Sequence, residues 1–206
     1  MNNVIKPLLA GLLLASSTSV FAASSVDLSV KGLITPSSCE PSLSAQTVDY
    51  GKISAKDLNT TQPTPLEAKI VDLTVICDAA TLMALESKDN REGSDFESSV
   101  MDFGLGLING TEKLGAMTLR LLNPIADSVA ARTIGSDDGG LTWFVEHQLM
   151  RHNLISVADA ATVAPMPVQT LVSQLVIEPR IAPSSQLTLN NEAAIDASVT
   201  LTVRYL

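Results

Sequence analysis

The chain has 206 residues, 46% of them hydrophobic and only 3% aromatic, with a formal net charge of −9. That length suits one domain, and that composition supports a packed core of aliphatic side chains rather than disorder. The acidic balance offers nothing to neutralise a row of phosphates, so a nucleic-acid partner is excluded, and two cysteines and two histidines leave little from which to build a metal site.

In chain order, the first element reads as an address. One lysine, Lys6, precedes the apolar run at residues 8–15, and the small residues Val20 at −3 and Ala22 at −1 mark a cleavage site after Ala22. The run is too short to span a bilayer, which takes about 20 residues. The expectation is a signal peptide over 1–22 and an exported, soluble domain over 23–206, not an integral membrane protein. Export gives the two cysteines their meaning. Cys39 and Cys77 form a lone pair in an oxidising compartment and are expected to be bridged.

The remainder reads as strands, because apolar and polar residues alternate. Val26, Leu28 and Val30 alternate with Asp27, Ser29 and Lys31. Val71, Leu73, Val75 and Cys77 do the same, as do Met117, Leu119 and Leu121. The clearest case closes the chain, where Val199, Leu201, Val203 and Tyr205 alternate with Thr200, Thr202 and Arg204. Shorter runs predict strands at 47–53, 82–86, 103–108, 141–145 and 171–177. Turn signals separate them at Pro63-Thr64-Pro65, Asn109-Gly110 and Asp137-Asp138-Gly139-Gly140. Helical pattern is scarce, with a turn or two at most over 146–157. The reading is an all-β, immunoglobulin-like antiparallel β-sandwich with one disulfide.

No catalytic motif is present: no GxSxG, HExxH, P-loop or GxGxxG. The chain is therefore read as non-enzymatic and without a cofactor. His147 and His152 read as surface or turn residues. Asp89 and Arg91, in Ser87-Lys88-Asp89-Asn90-Arg91, read either as a ligand contact or as a turn cap with its ion-pair partner, the cap being preferred. Gly104 and Gly106 read as sites of close strand packing. Trp143-Phe144, the one adjacent aromatic pair, is expected in the core, with a surface contact as the alternative.

Several motifs in shared order carry a resemblance. Lys31-Gly32-Leu33-Ile34 leads to Cys39, Val48-Asp49-Tyr50-Gly51-Lys52-Ile53 follows, the second cysteine ends a strand, and the chain closes on Val203-Arg204-Tyr205-Leu206. This pattern resembles the subunits of chaperone–usher fimbriae. With Ser87-Lys88-Asp89-Asn90-Arg91, Phe103-Gly104-Leu105-Gly106 and Lys113-Leu114-Gly115-Ala116, it is similar to the pilin-like GltF-like family of exported proteins. The resemblance implies a pilin-type sandwich in the periplasm or at the cell surface within a fimbria. It also implies a periplasmic chaperone, an usher and other fimbrial subunits as partners. Val199, Leu201, Val203 and Tyr205 would then form the strand that a chaperone or neighbouring subunit contacts. Val26, Leu28 and Val30 would be a short donor strand, as expected of a minor or accessory component in cell adhesion. The alternative is a soluble periplasmic GltF-like binding or regulatory protein.

Overall fold

The computed structural model describes residues 29, 31 and 38–206. The fold is carried by the unit Thr35–Leu206; Met1–Ile34 is a separate unit, in which the two described residues, Ser29 and Lys31, are exposed. The expected signal peptide and the candidate donor residues Val26, Leu28 and Val30 lie outside the described residues.

The described chain is built from strands: β1 (Cys39–Leu43), β2 (Thr64–Pro65), β3 (Lys69–Thr81), β4 (Met83–Asp89), β5 (Phe103–Gly104), β6 (Leu107–Ile108), β7 (Glu112–Lys113), β8 (Gly115–Ala126), β9 (Val129–Ala130), β10 (Arg132–Ser136), β11 (Phe144–Val145), β12 (Leu154–Ala158), β13 (Val168–Ile181) and β14 (Val199–Tyr205). Two single-turn 3-10 helices interrupt them, and no helix among the described residues is long and apolar enough to cross a membrane. One sheet runs β1-β3-β13-β8-β5, with β2 on β13 and β9 on β8. The other runs β11-β10-β12-β4-β14, and β6-β7 is a separate hairpin. Every pairing between strands is antiparallel. Lettering β1, β3, β4, β8, β13 and β14 as A to F gives the sheets A-B-E-D and C-F. That is the immunoglobulin order. Among the described residues, no strand occupies the position of G beyond β14.

The alternation seen in the sequence is realised as burial. Val71, Leu73, Val75 and Cys77 of β3 point inward, as do Met117, Leu119 and Leu121 of β8 and Leu171 and Leu175 of β13. They meet Met83 and Leu85 of β4 and Ile155 and Val157 of β12 from the facing sheet. Cys39 sits opposite Cys77 in the β1–β3 register and is bridged to it. A bridge 38 residues apart in sequence removes denatured-state freedom and contributes about 4 kcal/mol by the chain-entropy argument.

Five local expectations are corrected. Residues 103–108 form two short strands in different sheets rather than one, with Gly106 at positive φ between them. Residues 47–53 form no strand, because Asp49 Oδ1 accepts from the Gly51 N–H at 2.8 Å and Gly51 takes a positive φ, a side-chain turn that breaks the ladder. Of 141–145, only Phe144 and Val145 pair. Trp143 and Phe144 are not core: Trp143 is half-buried and Phe144 exposed, on a strand at the sheet edge where one side has no neighbour to pack on. No helix forms over 146–157, where His152 adopts φ 65° and the chain re-enters the sheet as β12. The Asn109-Gly110 signal is a tight turn with both residues at positive φ, and Asp137–Gly140 is likewise a turn.

Candidate functional site

The C-terminal strand β14 forms one edge of its sheet. Its phase follows from two bonds: Asn90 N–H donates to the Ser198 carbonyl, and Leu206 N–H to the Leu82 carbonyl. With the register Val199↔Asp89 to Tyr205↔Met83, even-numbered residues direct their backbone groups at β4. The backbone groups of Val199, Leu201, Val203 and Tyr205 therefore face the other way, towards an edge on which no strand pairs among the described residues. The same phase extends upstream. Asp196 N–H donates to the Leu105 carbonyl, and the Arg91 guanidinium holds the Asp196 carboxylate at 2.8 and 2.9 Å. The open edge thus runs from Ile195 to Tyr205.

The side chains add an apolar floor. Ile195, Ala197, Val199, Leu201 and Val203 all pack on the core, yet all are only partly buried. Leu43, Val48 and Leu58, from β1 and the segment after it, line the opposite side in the same half-covered state. No backbone hydrogen bond joins residues 39–58 to 187–206 among the described residues. At one end the gap is crossed by the Tyr205 hydroxyl, which accepts from the Cys39 N–H at 2.9 Å. At the other end Lys52 meets Glu192 at 3.1 Å, both fully solvated. Beside that ion pair the groove widens into a cavity of about 550 Å³ lined by Val48, Tyr50, Leu58, Leu114, Ile181 and Ile195, among others. Such a volume lies within the range of ligand pockets.

The other candidate residues are structural. Asp89 is buried, and its carboxylate accepts the Arg91 and Gly104 N–H groups, both at 2.8 Å. The segment is therefore a cap and ion-pair device, with Arg91 paired to Asp196. Gly104 is the close-packing site: a Cβ there would collide with Ser94 Oγ. His147 and His152 are both exposed. His147 Nδ1 meets Thr133 Oγ1 at 2.5 Å, and His152 meets Glu92 at 3.3 Å. Among the described residues, no three His, Cys, Asp or Glu side chains converge as a metal would require. Sequence reading missed Tyr50, Leu58 and Ile195 as groove residues. Only the Val48-Asp49-Tyr50-Gly51 motif signalled that stretch, and it read as a strand.

Residues 28–100, which include both cysteines and β1 to β4, match the family described as "Protein of unknown function (DUF1120)". The chain is also similar to Protein GltF of Escherichia coli (strain K12). Identity is 25% over 243 residues, covering 93% of this chain and 94% of that protein. That similarity covers nearly the whole of both chains and so extends beyond the first four strands.

Proposed function

We propose that this chain is an exported, non-enzymatic, fimbrial-subunit-like protein, a minor or accessory component of a chaperone–usher surface structure. On this reading it is a pilin-like member of the GltF-like group and works by accepting a strand from a partner. The observation that carries the reading is the strand order A-B-E-D and C-F, with an unpaired edge on β14 among the described residues. Strand addition satisfies such an edge: the backbone supplies affinity, and alternate side chains supply register. Val199, Leu201 and Val203 combine outward backbone groups with half-covered apolar side chains, as an acceptor of an added strand requires. The partner in the periplasm would be a fimbrial chaperone, then a neighbouring subunit.

Val203→Pro tests this. Its N–H faces the open edge, so proline there spares the ladder to β4 and blocks pairing on the other side. Co-expressed with a periplasmic fimbrial chaperone, the wild-type chain should co-purify with it and the variant should not, with the variant's circular dichroism unchanged. Equal co-purification of both would overturn the assignment. The 550 Å³ cavity favours one second reading, a soluble periplasmic binding or regulatory protein. A wild-type chain that is a stable free monomer and ignores the chaperone would support that alternative.

A further inference from the structure

We propose that the outer face of the β1-β3-β13-β8 sheet is a docking surface for a basic, aliphatic segment of another protein. The inference is independent of strand addition at β14, because this face belongs to the other sheet and points away from the core.

Three observations carry it. First, the face departs from the usual pattern, in which the wet side of an antiparallel sheet is polar. In β3, Val71, Leu73 and Val75 fill the core, so Ile70 and Ile76 point outward, where they are 57% and 58% exposed. Val172 of β13 and Ile125 of β8 are outward and exposed as well. The second sheet keeps the usual pattern: the outward residues of β4 and β14 include Glu86, Lys88, Thr200, Thr202 and Arg204.

Second, the register gathers these four side chains into one stripe. Glu40, Ile76 and Thr170 form a row across β1, β3 and β13. Thr74, Val172 and Ile125 form the next row, and Ile70 sits beside Val176 two rows further on. Single exposed aliphatic residues are ordinary, whereas a contiguous group of them marks an interaction site. The stripe runs about 20 Å from Ile70 to Ile76 and about 10 Å across β3, β13 and β8. Its area of about 200 Å² falls well below the roughly 800 Å² that each partner buries in a stable dimer. It therefore suits a short segment rather than a second copy of this chain.

Third, the uncompensated charge on the face has one sign. Glu40, Asp72 and Asp78 stand beside the stripe as exposed carboxylates, and none is in an ion pair among the described residues. The cations of the face, Arg120 and Arg180, are already held by Glu178 and by Asp102 and Glu97. A second copy would bring like charges together, in a chain whose net charge is already −9. Lysine or arginine side chains beside aliphatic ones complement the face in both charge and polarity.

An acetylated, amidated octapeptide of alternating lysine and leucine tests this, since it extends about 27 Å and covers the stripe. Titrated into the full chain and followed by NMR, it should shift the methyl groups of Ile70, Ile76, Ile125 and Val172 and bind more weakly as salt rises. Replacing its lysines with glutamate, or its leucines with serine, should each weaken binding about 10-fold or more. Ile76→Thr/Val172→Thr keeps strand-favouring residues at two exposed positions and should weaken the probe about 10-fold. Glu40→Gln/Asp72→Asn should weaken it about 2–10-fold. The Val203→Pro chain should bind it like the wild type, so this surface and the β14 edge fail separately. Shifts confined to β14, equal binding of the lysine peptide and either altered peptide, or indifference to Ile76→Thr/Val172→Thr would overturn the surface. A wild-type dimer in sedimentation that Val172→Lys converts to a monomer would also overturn it, by making a second copy the occupant.

Discussion

The Tyr205 hydroxyl accepts the Cys39 N–H at 2.9 Å, across 166 residues of sequence and between the free edges of two sheets. Cys39 begins β1, the edge of the first sheet, and Tyr205 ends β14, the edge of the second. The groove is therefore open along its length and tied at one end, next to the disulfide. A penultimate tyrosine is suited to this: its ring is long enough to cross from one layer to the other, and its hydroxyl offers an acceptor to an edge amide that lacks a sheet partner.

Tyr205→Phe removes only that acceptor. The bond is accessible to water, so the expected loss is at the low end for a hydrogen bond, about 0.5 kcal/mol by chemical denaturation. The diagnostic effect is local. Amide exchange at Cys39 should accelerate in the variant, while the amide of Cys77, in the interior strand β3, keeps its protection. An unchanged Cys39 exchange rate would show that the hydroxyl does not hold the edge.

Arg180 compensates a buried charge. Its guanidinium lies 2.7 Å from both oxygens of Asp102, a side chain only 2% exposed, and also reaches Glu97 and the Phe96 ring. Removing one partner of such a pair strands the other in a low-dielectric site. Arg180→Met should therefore cost about 3–5 kcal/mol, towards the lower figure because Arg180 itself is partly solvated. The double variant Arg180→Met/Asp102→Asn should recover part of that loss, since the stranded charge is gone. Additive losses in the cycle would refute the coupling.

The turn after β10 is organised by one carboxylate. Asp138 accepts from the Thr142 hydroxyl at 2.6 Å, from the Thr142 and Leu141 N–H groups at 2.9 and 3.0 Å, and from Ser136 Oγ at 2.8 Å. These bonds, the Thr142 hydroxyl foremost, lower its pKa to about 2. A depressed folded pKa means the turn's stabilisation is fully present above the ordinary aspartate value and is lost as pH falls through about 2. Trp143, the chain's single tryptophan, reports on it through its indole bond to the Gly140 carbonyl. Its emission should be constant from neutral pH to about 4 and change below that. Asp138→Ala should show the low-pH emission already at pH 7. A transition centred near pH 4 in the wild type would contradict the carboxylate's role.

How much was legible in the sequence depended on whether the signal was local. Alternation is local, so strands such as Val71–Cys77, Met117–Leu121 and Val199–Tyr205 could be read directly: a period of two can bury one face only as a strand. The bridge between Cys39 and Cys77 needed only the count of cysteines and the inference of export, and the structure pairs them. Asp89 as a cap and Gly104 as a close-packing site followed from residue type. Where one residue overrode the pattern, reading failed. The Asp49–Gly51 turn dissolved the expected strand at 47–53, and edge position left Phe144 exposed rather than buried.

The amino-acid order by itself thus determined the all-β class, the inward faces of the long alternating strands and the disulfide, because each rests on neighbours in sequence or on composition. Only the tertiary structure decided which strand stands at an edge. Val199, Leu201 and Val203 have the alternation of a central strand, and nothing in their order says that one side of β14 has no pairing partner among the described residues. Tertiary structure also brought Tyr50, Leu58 and Ile195 to one cavity, from segments more than 130 residues apart at their extremes. Edges and cavities arise from which strands pair and which layers face each other. Those are long-range outcomes of burying every inward stripe at once, and no single stripe encodes them.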